Sequence, residues 1–262
     1  MAYFAIFSAQ IRIGLQYRAA ALSGMIGQVA FGCIFIMIFE AFYASTQMPQ
    51  PMTLEEAIVY IWLAQIMLGM LPVYLGSDIP ALIRSGDVAF EMLRPVDLYS
   101  LWLARQVAFR ATTVLLRGLP ICLIAGLFFG LQPPATWAAA AAWSIATLFA
   151  LLVCSAMALL FTITLMWTVS GEGISFLGMA TVSLLSGMLV PMPFFPDWLQ
   201  AAMRVLPFRS MYDIPFRLYL GHIPAADAFG AIGQQAFWLA ALVLMGYWIL
   251  AYGKNRLAVQ GG

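Results

Sequence analysis

The chain has 262 residues, of which 64% are hydrophobic and 9% are charged, and its mean hydropathy is +0.94. A soluble domain is about half apolar and about a quarter charged, so this composition excludes a water-soluble fold and predicts a helical membrane protein. The net charge of +1 gives no sign of a nucleic-acid or acidic partner. The three scattered cysteines, Cys33, Cys122 and Cys154, and the single histidine, His222, argue against a metal centre or a histidine-based catalytic site.

The first segment, residues 2–20, alternates bulky apolar side chains with polar ones that include Arg12 and Arg18. It is too short and too polar to cross a bilayer, so we expect an amphipathic helix along the cytoplasmic interface. A helical extension of the first span is the alternative. No basic region precedes the apolar residues, so we expect this end to be retained rather than cleaved as a signal peptide.

Long apolar segments predict six transmembrane helices in one all-α, polytopic membrane domain over residues 1–262. Residues 101–117 are basic and are expected to form a helix that approaches the membrane and continues into the third span. The expected spans are residues 21–43, 54–76, up to residue 130 from that approach, 137–167, 174–190 and 228–252.

Residues 79–100, between the second and third spans, are too charged to cross a bilayer. Arg84, Asp87, Glu91 and Arg94 are clustered there in a chain that is otherwise poor in charge. A charged, folded segment between two membrane spans indicates a docking surface. We expect a short cytoplasmic helix that takes force from a separate protein.

Residues 191–227 precede the last span and are rich in proline and aromatic residues. This segment is too broken to span and too apolar for a free loop, so we expect short helices at or dipping into the outer interface. Its arginines are expected to pair with its aspartates or with lipid phosphates. These residues are Arg204, Arg209 and Arg217, with Asp197, Asp213 and Asp227.

The distribution of basic residues predicts the orientation. An even number of spans places both termini on one side, and nine basic residues lie on or near that side against three in residues 191–227. The positive-inside rule therefore predicts cytoplasmic termini and a cytoplasmic 79–100 segment. The nine are Arg12, Arg18, Arg84, Arg94, Arg105, Arg110, Arg117, Lys254 and Arg256.

The sequence carries no motif of an ATPase or of the common hydrolases. GxxxxGK[ST], GxSxG and HExxH are absent. Few ionisable residues fall near the middle of a span, and the two halves show no evident repeat, which argues against an ion-coupled carrier. A transporter of this kind would take its energy from a partner, and a partner needs a docking segment.

The order of these elements resembles the ABC-2 type permeases, which are membrane subunits of ABC transporters, over essentially the whole chain. Two local patterns are similar to those of a bacterial subgroup, the ABC-2 family transporter proteins. The first is Ile83-Arg-Ser-Gly-Asp followed by Met92-Leu-Arg-Pro, which is similar to the subgroup pattern I..G…LL+P. The second is Pro193-Phe-Phe-Pro-Asp-Trp-Leu-Gln, then Leu206-Pro-Phe, Pro215 and Tyr219-Leu-Gly. Glu91-Met replaces two aliphatic residues of the first pattern, which puts the local packing there in doubt.

This resemblance implies six helices per subunit, with two permease subunits paired above two cytoplasmic ATP-binding subunits. ATP and Mg²⁺ would be bound by those partners, so the chain itself would hold no cofactor and would not be an enzyme. The second permease is expected to be a different homologous chain, with an identical copy as the alternative. The location implied is the bacterial inner membrane.

The resemblance also implies roles for particular residues. The segment after the second span would be the coupling helix, seated in a groove of the ATPase, with residues 191–227 capping the pathway. The expected coupling residues are Arg84, Ser85, Gly86, Asp87, Glu91 and Arg94. Substrate would pass between the two permeases along spans 1, 2 and 5, and the candidate pathway residues are Gln65, Met67, Thr181, Ser183 and Met188.

We therefore expect an ATP-driven exporter that works by alternating access. The weakly charged pathway favours amphipathic or apolar cargo such as a drug, a lipid or a hydrophobic peptide, and nothing suggests docking of a periplasmic binding protein. Two alternatives stay open. An intramembrane enzyme would need a base, and His222 has no obvious partner in the sequence. A non-transporting scaffold or sensor would use the same ATPase.

Overall fold

The structure of the protein is a computed structural model that describes residues 2–16, 18–72, 78–168 and 172–260. Every regular element in these ranges is a helix, which confirms the all-α prediction. The helices are α1 (Ala2–Gln16), α2 (Arg18–Ser45), α3 (Leu54–Met67), α4 (Ile79–Ser85), α5 (Val88–Met92), α6 (Leu98–Thr113), α7 (Leu119–Phe128), α8 (Trp137–Ile163), α9 (Glu172–Leu185), α10 (Asp197–Val205), α11 (Asp213–Tyr219) and α12 (Ala228–Gln260). The expected end of the second span and the side chains of Arg18, Glu172 and Arg256 lie outside the described residues.

Within the described residues, four helical stretches are long and apolar enough to cross a membrane: Ala21–Ser45, Leu98–Phe128, Trp137–Met166 and Ala225–Lys254. They coincide with the first, third, fourth and sixth expected spans, so the chain is a multi-pass membrane protein. The third is built from α6 and α7, which are joined by one π-helical turn at Val114–Gly118. Most of the Trp137–Met166 stretch is buried inside the protein, whereas a much smaller share of each of the other three is buried.

The elements at the second and fifth expected spans are shorter than we expected. α3 has 14 residues, which corresponds to about 21 Å of helix against a hydrocarbon core of about 30 Å. A 3₁₀ turn follows it at Leu68–Met70. α9 also ends early, because Gly187 adopts a φ of +83° just beyond it.

At one end of the bundle, the 79–100 segment and the ends of three helices form one buried apolar cluster. Ile79 packs there with Leu98 at the start of α6, Leu165 just after α8, and Leu250 of α12. This end of the bundle is therefore a continuous core rather than a set of loose loops.

At the opposite end, the loops between α2 and α3, α7 and α8, and α11 and α12 meet. His222 Nε2 lies 2.8 Å from Glu56 Oε1, and the Tyr219 hydroxyl donates a 2.7 Å hydrogen bond to the Gln132 carbonyl. We expected His222 to have no obvious partner, and this was wrong because the pair joins residues that are 166 positions apart in the sequence.

Short helices do precede the last span, but only some of them are exposed. α10 exposes Trp198 and Val205, as expected of a helix at an interface. α11 was expected at the interface as well, but Ile214, Phe216 and Leu218 are fully buried against α8 and the neighbouring core. This second short helix is therefore part of the core.

Replacing Gly187 with alanine should destabilise the protein. The φ of +83° is strained for any residue with a side chain, and an added Cβ would lie 2.7 Å from the Tyr60 hydroxyl oxygen. We expect the free energy of unfolding to fall by about 1–3 kcal/mol, measured by thermal unfolding of the purified protein in detergent. The control is Gly126→Ala, where an added Cβ meets nothing within 4 Å. Equal stability of the two variants would contradict the account of how α9 ends.

Candidate functional site

The 79–100 segment contains two short helices rather than the single helix that we expected. α4 has Pro80 in its first turn, where the missing N–H would have had no helical partner. It ends at Gly86, whose φ of +81° lies in the left-handed region. Across this turn the Ser85 hydroxyl donates a 2.6 Å hydrogen bond to Asp87 Oδ2, and α5 begins at the next residue.

The inward face of the segment is apolar and fully packed. Ile79 and Ile83 of α4 and Val88 of α5 are buried against Trp102 of α6 and Leu159 of α8. These three residues, which are four and five positions apart along two short helices, thus share one face. The segment is docked onto the bundle along this face.

Glu91 also faces inward, although we expected it among the outward charged contacts. It is only 6% exposed. Its carboxylate accepts a 2.7 Å hydrogen bond from Trp102 Nε1 and a short ionic hydrogen bond from Arg105 Nη2. Arg105 Nη1 lies 3.3 Å from Asp78 Oδ2, just before α4. The physical reason for the inward position is that α6 supplies both donors, so the buried charge is paired and hydrogen-bonded.

The outward face carries the other expected coupling residues. Arg84, Ser85, Gly86, Asp87 and Arg94 are all exposed. Two large apolar side chains that sequence reasoning missed lie beside them: Phe90 is 70% exposed and Leu93 is 82% exposed. Their spacing of three residues within a charged segment was the available signal, because such a pair shares one face of a helical turn.

The start of α6 is fixed to α12 by a small polar group. Asp97 Oδ2 accepts hydrogen bonds from the Ser100 backbone N–H at 2.8 Å and from the Tyr247 hydroxyl at 2.7 Å. The rings of Tyr99 and Tyr247 lie 4.2 Å apart between centroids. Partial burial raises the pKa of Asp97, but the hydrogen bonds from Ser100 and Tyr247 outweigh it, so the pKa lies below its ordinary value.

The five candidate pathway residues differ in how exposed they are. Gln65 and Met67 of α3 are buried, and Met67 belongs to the central apolar core. Thr181 of α9 is exposed, Ser183 is half-buried, and Met188 lies beyond the end of α9 and is also half-buried. Met188 packs against the same apolar core that contains Met67.

At the far end of the bundle, charge is also paired. Arg209 Nε donates a 3.0 Å hydrogen bond to Oδ2 of Asp213, which is fully buried, so one expected arginine–aspartate pair is confirmed.

Glu56, the partner of His222, is at the same time a helix cap. Its Oε2 accepts a 2.7 Å hydrogen bond from the Thr53 N–H, while the Thr53 hydroxyl accepts from the Glu56 N–H. A cavity of about 550 Å³ opens beside this pair, lined by the loop between α2 and α3.

A family model described as ABC-2 family transporter protein matches residues 29–261. The chain therefore belongs to the ABC-2 family of transporter proteins, as its resemblance implied. It is a membrane permease of an ABC transporter, and permeases of this family work with ATP-binding partner subunits. No curated protein and no solved structure matches the chain.

Replacing Asp97 with alanine should loosen the start of α6. The variant loses the N-cap and the acceptor for Tyr247, and we expect the free energy of unfolding to fall by about 1 kcal/mol at neutral pH. Because the folded pKa of Asp97 is lowered, this contribution is complete above the pKa of an unfolded aspartate and is lost as the pH falls through the folded value. Thermal unfolding of parent and variant at several pH values measures it. Tyr247→Phe is the control and should lose less, since it keeps the cap. A difference that does not shrink in acid would contradict this account.

Proposed function

We propose that the chain is the membrane-spanning subunit of an ATP-driven exporter for amphipathic or hydrophobic cargo, and that the 79–100 segment is the seat of a separate ATPase. The observation that carries the proposal is the two-faced construction of this segment. One face is packed into the bundle, and the other carries exposed arginines next to exposed apolar side chains.

The outward face has the chemistry of a protein contact. Phe90 and Leu93 are exposed, and burying such a side chain stabilises a contact by about 1.5–3 kcal/mol. Arg84 and Arg94 are exposed as well, and arginine beside an aromatic anchor is typical of binding hot spots. We infer that the partner offers an apolar groove with acidic residues at its rim. Arg84, Ser85, Gly86, Asp87 and Arg94 would form the outer contacts, and Glu91 would support them from inside.

We further propose six spans, with α3 and α9 as the second and fifth and both termini cytoplasmic in a bacterial inner membrane. The grouping of the loops supports this topology. The 79–100 segment, the end of α8 and the later part of α12 lie at one end of the bundle, and three other loops lie at the opposite end. Six alternating crossings of the membrane would group the loops in this way. α3 is largely buried by its neighbours, so its short length exposes little backbone to lipid.

A second permease subunit would complete the pathway. The best candidates for its contact surface are α2 and α9, whose apolar side chains are exposed in the single chain. On α2 these include Phe31, Met37 and Phe42, and on α9 Phe176 and Leu177. We propose that cargo passes at this boundary, near Gln65, Met67, Thr181, Ser183 and Met188. A different homologous chain is the partner we favour, and an identical copy is the alternative.

The proposed mechanism is alternating access. Two ATPases close on ATP and Mg²⁺, push the 79–100 segments, and rock the paired permeases between inward and outward access. The intramembrane enzyme is less favoured, because Glu56 beside His222 is engaged as the cap of α3. That arrangement favours a structural link between two outer loops.

The ATPase seat can be tested by isolating the complex. The tagged chain is purified from its native membrane in mild detergent, and co-purifying proteins are identified by mass spectrometry and assayed for ATP hydrolysis. We expect a Walker-type ATPase with the parent, and its loss with Arg84→Glu combined with Arg94→Glu, because both charges then repel an acidic rim. Arg204→Glu, an exposed arginine of α10, is the matched control and should retain the ATPase. An intact parent complex that contains no ATPase would refute the proposal.

Transport and scaffolding can be separated with inside-out membrane vesicles that contain the complex. A lipophilic cationic dye serves as the probe, and its fluorescence reports ATP-dependent uptake into the vesicle lumen. An exporter of apolar cargo should show uptake that is abolished by the Arg84→Glu and Arg94→Glu pair. Uptake that is equal in parent and variant, with the ATPase present only in the parent, would favour the scaffold.

A further inference from the structure

Beneath the exposed tip of the 79–100 segment lies a buried polar link to α6. Glu91 of α5 is 6% exposed, and both of its hydrogen-bond donors, Trp102 Nε1 and Arg105 Nη2, belong to α6. The other terminal nitrogen of Arg105 reaches Asp78, which precedes α4. One guanidinium therefore holds both ends of the two-helix segment.

This link does something that the apolar packing beside it cannot. Ile83 and Val88 also bind the segment to the bundle, but apolar contacts are non-directional and tolerate sliding. The bonds from Trp102 and Arg105 fix the rotation and height of α5 relative to α6. The Asp78 end is exposed and contributes little, whereas the Glu91 end is buried and depends strongly on its partners.

The helix that receives this link extends through the whole bundle. α6 continues through the π-helical turn into α7, and together they cover Leu98–Phe128, about 46 Å of helix. The start of α6 is also clamped to α12 through Asp97 and Tyr247. A displacement of α5 is therefore delivered first to α6 and α12.

We propose that Glu91 and Arg105 are positioning residues that make the 79–100 segment and α6 move as one body, so that motion of the bound ATPase reaches the third span. This inference rests on the proposed function, because it assumes an ATPase seated on the outward face. Trp102 completes the link by donating its indole N–H to Glu91.

The test measures one distance inside the chain, in the complex with its ATPase. Spin labels are attached at Ala89→Cys on α5 and Leu115→Cys directly after α6, both exposed, in a background that carries Cys33→Ser and Cys122→Ser. Double electron–electron resonance compares the nucleotide-free complex with the complex trapped by vanadate and Mg-ADP. In the parent we expect the same distance in both states, because the two labels belong to one body.

The variants are Glu91→Gln, which removes the charge at constant size, and Arg105→Lys, which keeps the charge but cannot hold two carboxylates in a fork. Co-purified ATPase and its rate of ATP hydrolysis are measured for each variant, and the label distance is compared in complexes that contain the ATPase. Their label distance should shift or broaden when vanadate is added, because α5 follows the ATPase while α6 lags. Two controls identify a variant that is merely destabilised. Its thermal unfolding temperature would fall, and its label distance would already be broadened in the nucleotide-free state.

The outcomes separate the two proposals. A parent complex without any ATPase refutes the proposed function itself. A parent whose label distance changes on trapping shows that the segment and α6 are not one body, and it overturns this inference while the ATPase seat stands. Variants with distances identical to the parent in both states overturn the roles of Glu91 and Arg105.

Discussion

Close packing of neighbouring helices onto α8 determines how the other elements are arranged. Ala139, Ala142, Ala146 and Ala150 are buried at spacings of three and four residues, so one face of this helix presents only small side chains. In lipid, helices associate through close van der Waals contact and interhelical hydrogen bonds rather than by escaping water. Gln235 of α12 uses this face directly, since its Nε2 donates a 3.0 Å hydrogen bond to the Ala146 carbonyl. A larger side chain beside that carbonyl would keep the two helices apart.

The same face explains why a segment that looks interfacial is folded inward. α11 packs on α8, where Trp143 meets Tyr219 edge to face at 5.2 Å between ring centroids. Its acidic residue, Asp213, can enter this core because Arg209, one turn earlier, accompanies it and satisfies one carboxylate oxygen. α10 lies beside α12 instead, where Trp238 Nε1 donates a 3.1 Å hydrogen bond to the Val205 carbonyl, and its Trp198 stays exposed. The two adjacent short helices thus differ in burial because α11 packs on α8, whereas α10 lies beside α12.

The sequence predicts the long spans and the position of the 79–100 segment, because both depend on local composition over many residues. It does not predict which way Glu91 faces, since α5 has five residues and its orientation depends on donors that α6 supplies. The pairing of His222 with Glu56 is hidden for the same reason, because it joins loops that only the assembled bundle brings together. Gly187 is a sequence signal for the early end of α9, since glycine commonly ends helices. The long apolar run around it is the stronger signal, and it predicts a span that continues past this glycine.

The two faces of the 79–100 segment place opposite physical demands on one short stretch of chain. The side chains at its tip must lose their contact with water when a partner binds. This favours exposed apolar and arginine side chains such as Phe90 and Arg94. Its base must not yield when that partner moves, which favours directional bonds protected from water, because a hydrogen bond is electrostatically stronger where the local dielectric is low. A carboxylate at the base meets the second demand only if it is paired, and Arg105 and Trp102 supply that pairing from a helix that runs through the bundle. A membrane subunit that takes its energy from outside needs both properties, and the turn at Gly86 lets two helices of seven and five residues provide them side by side.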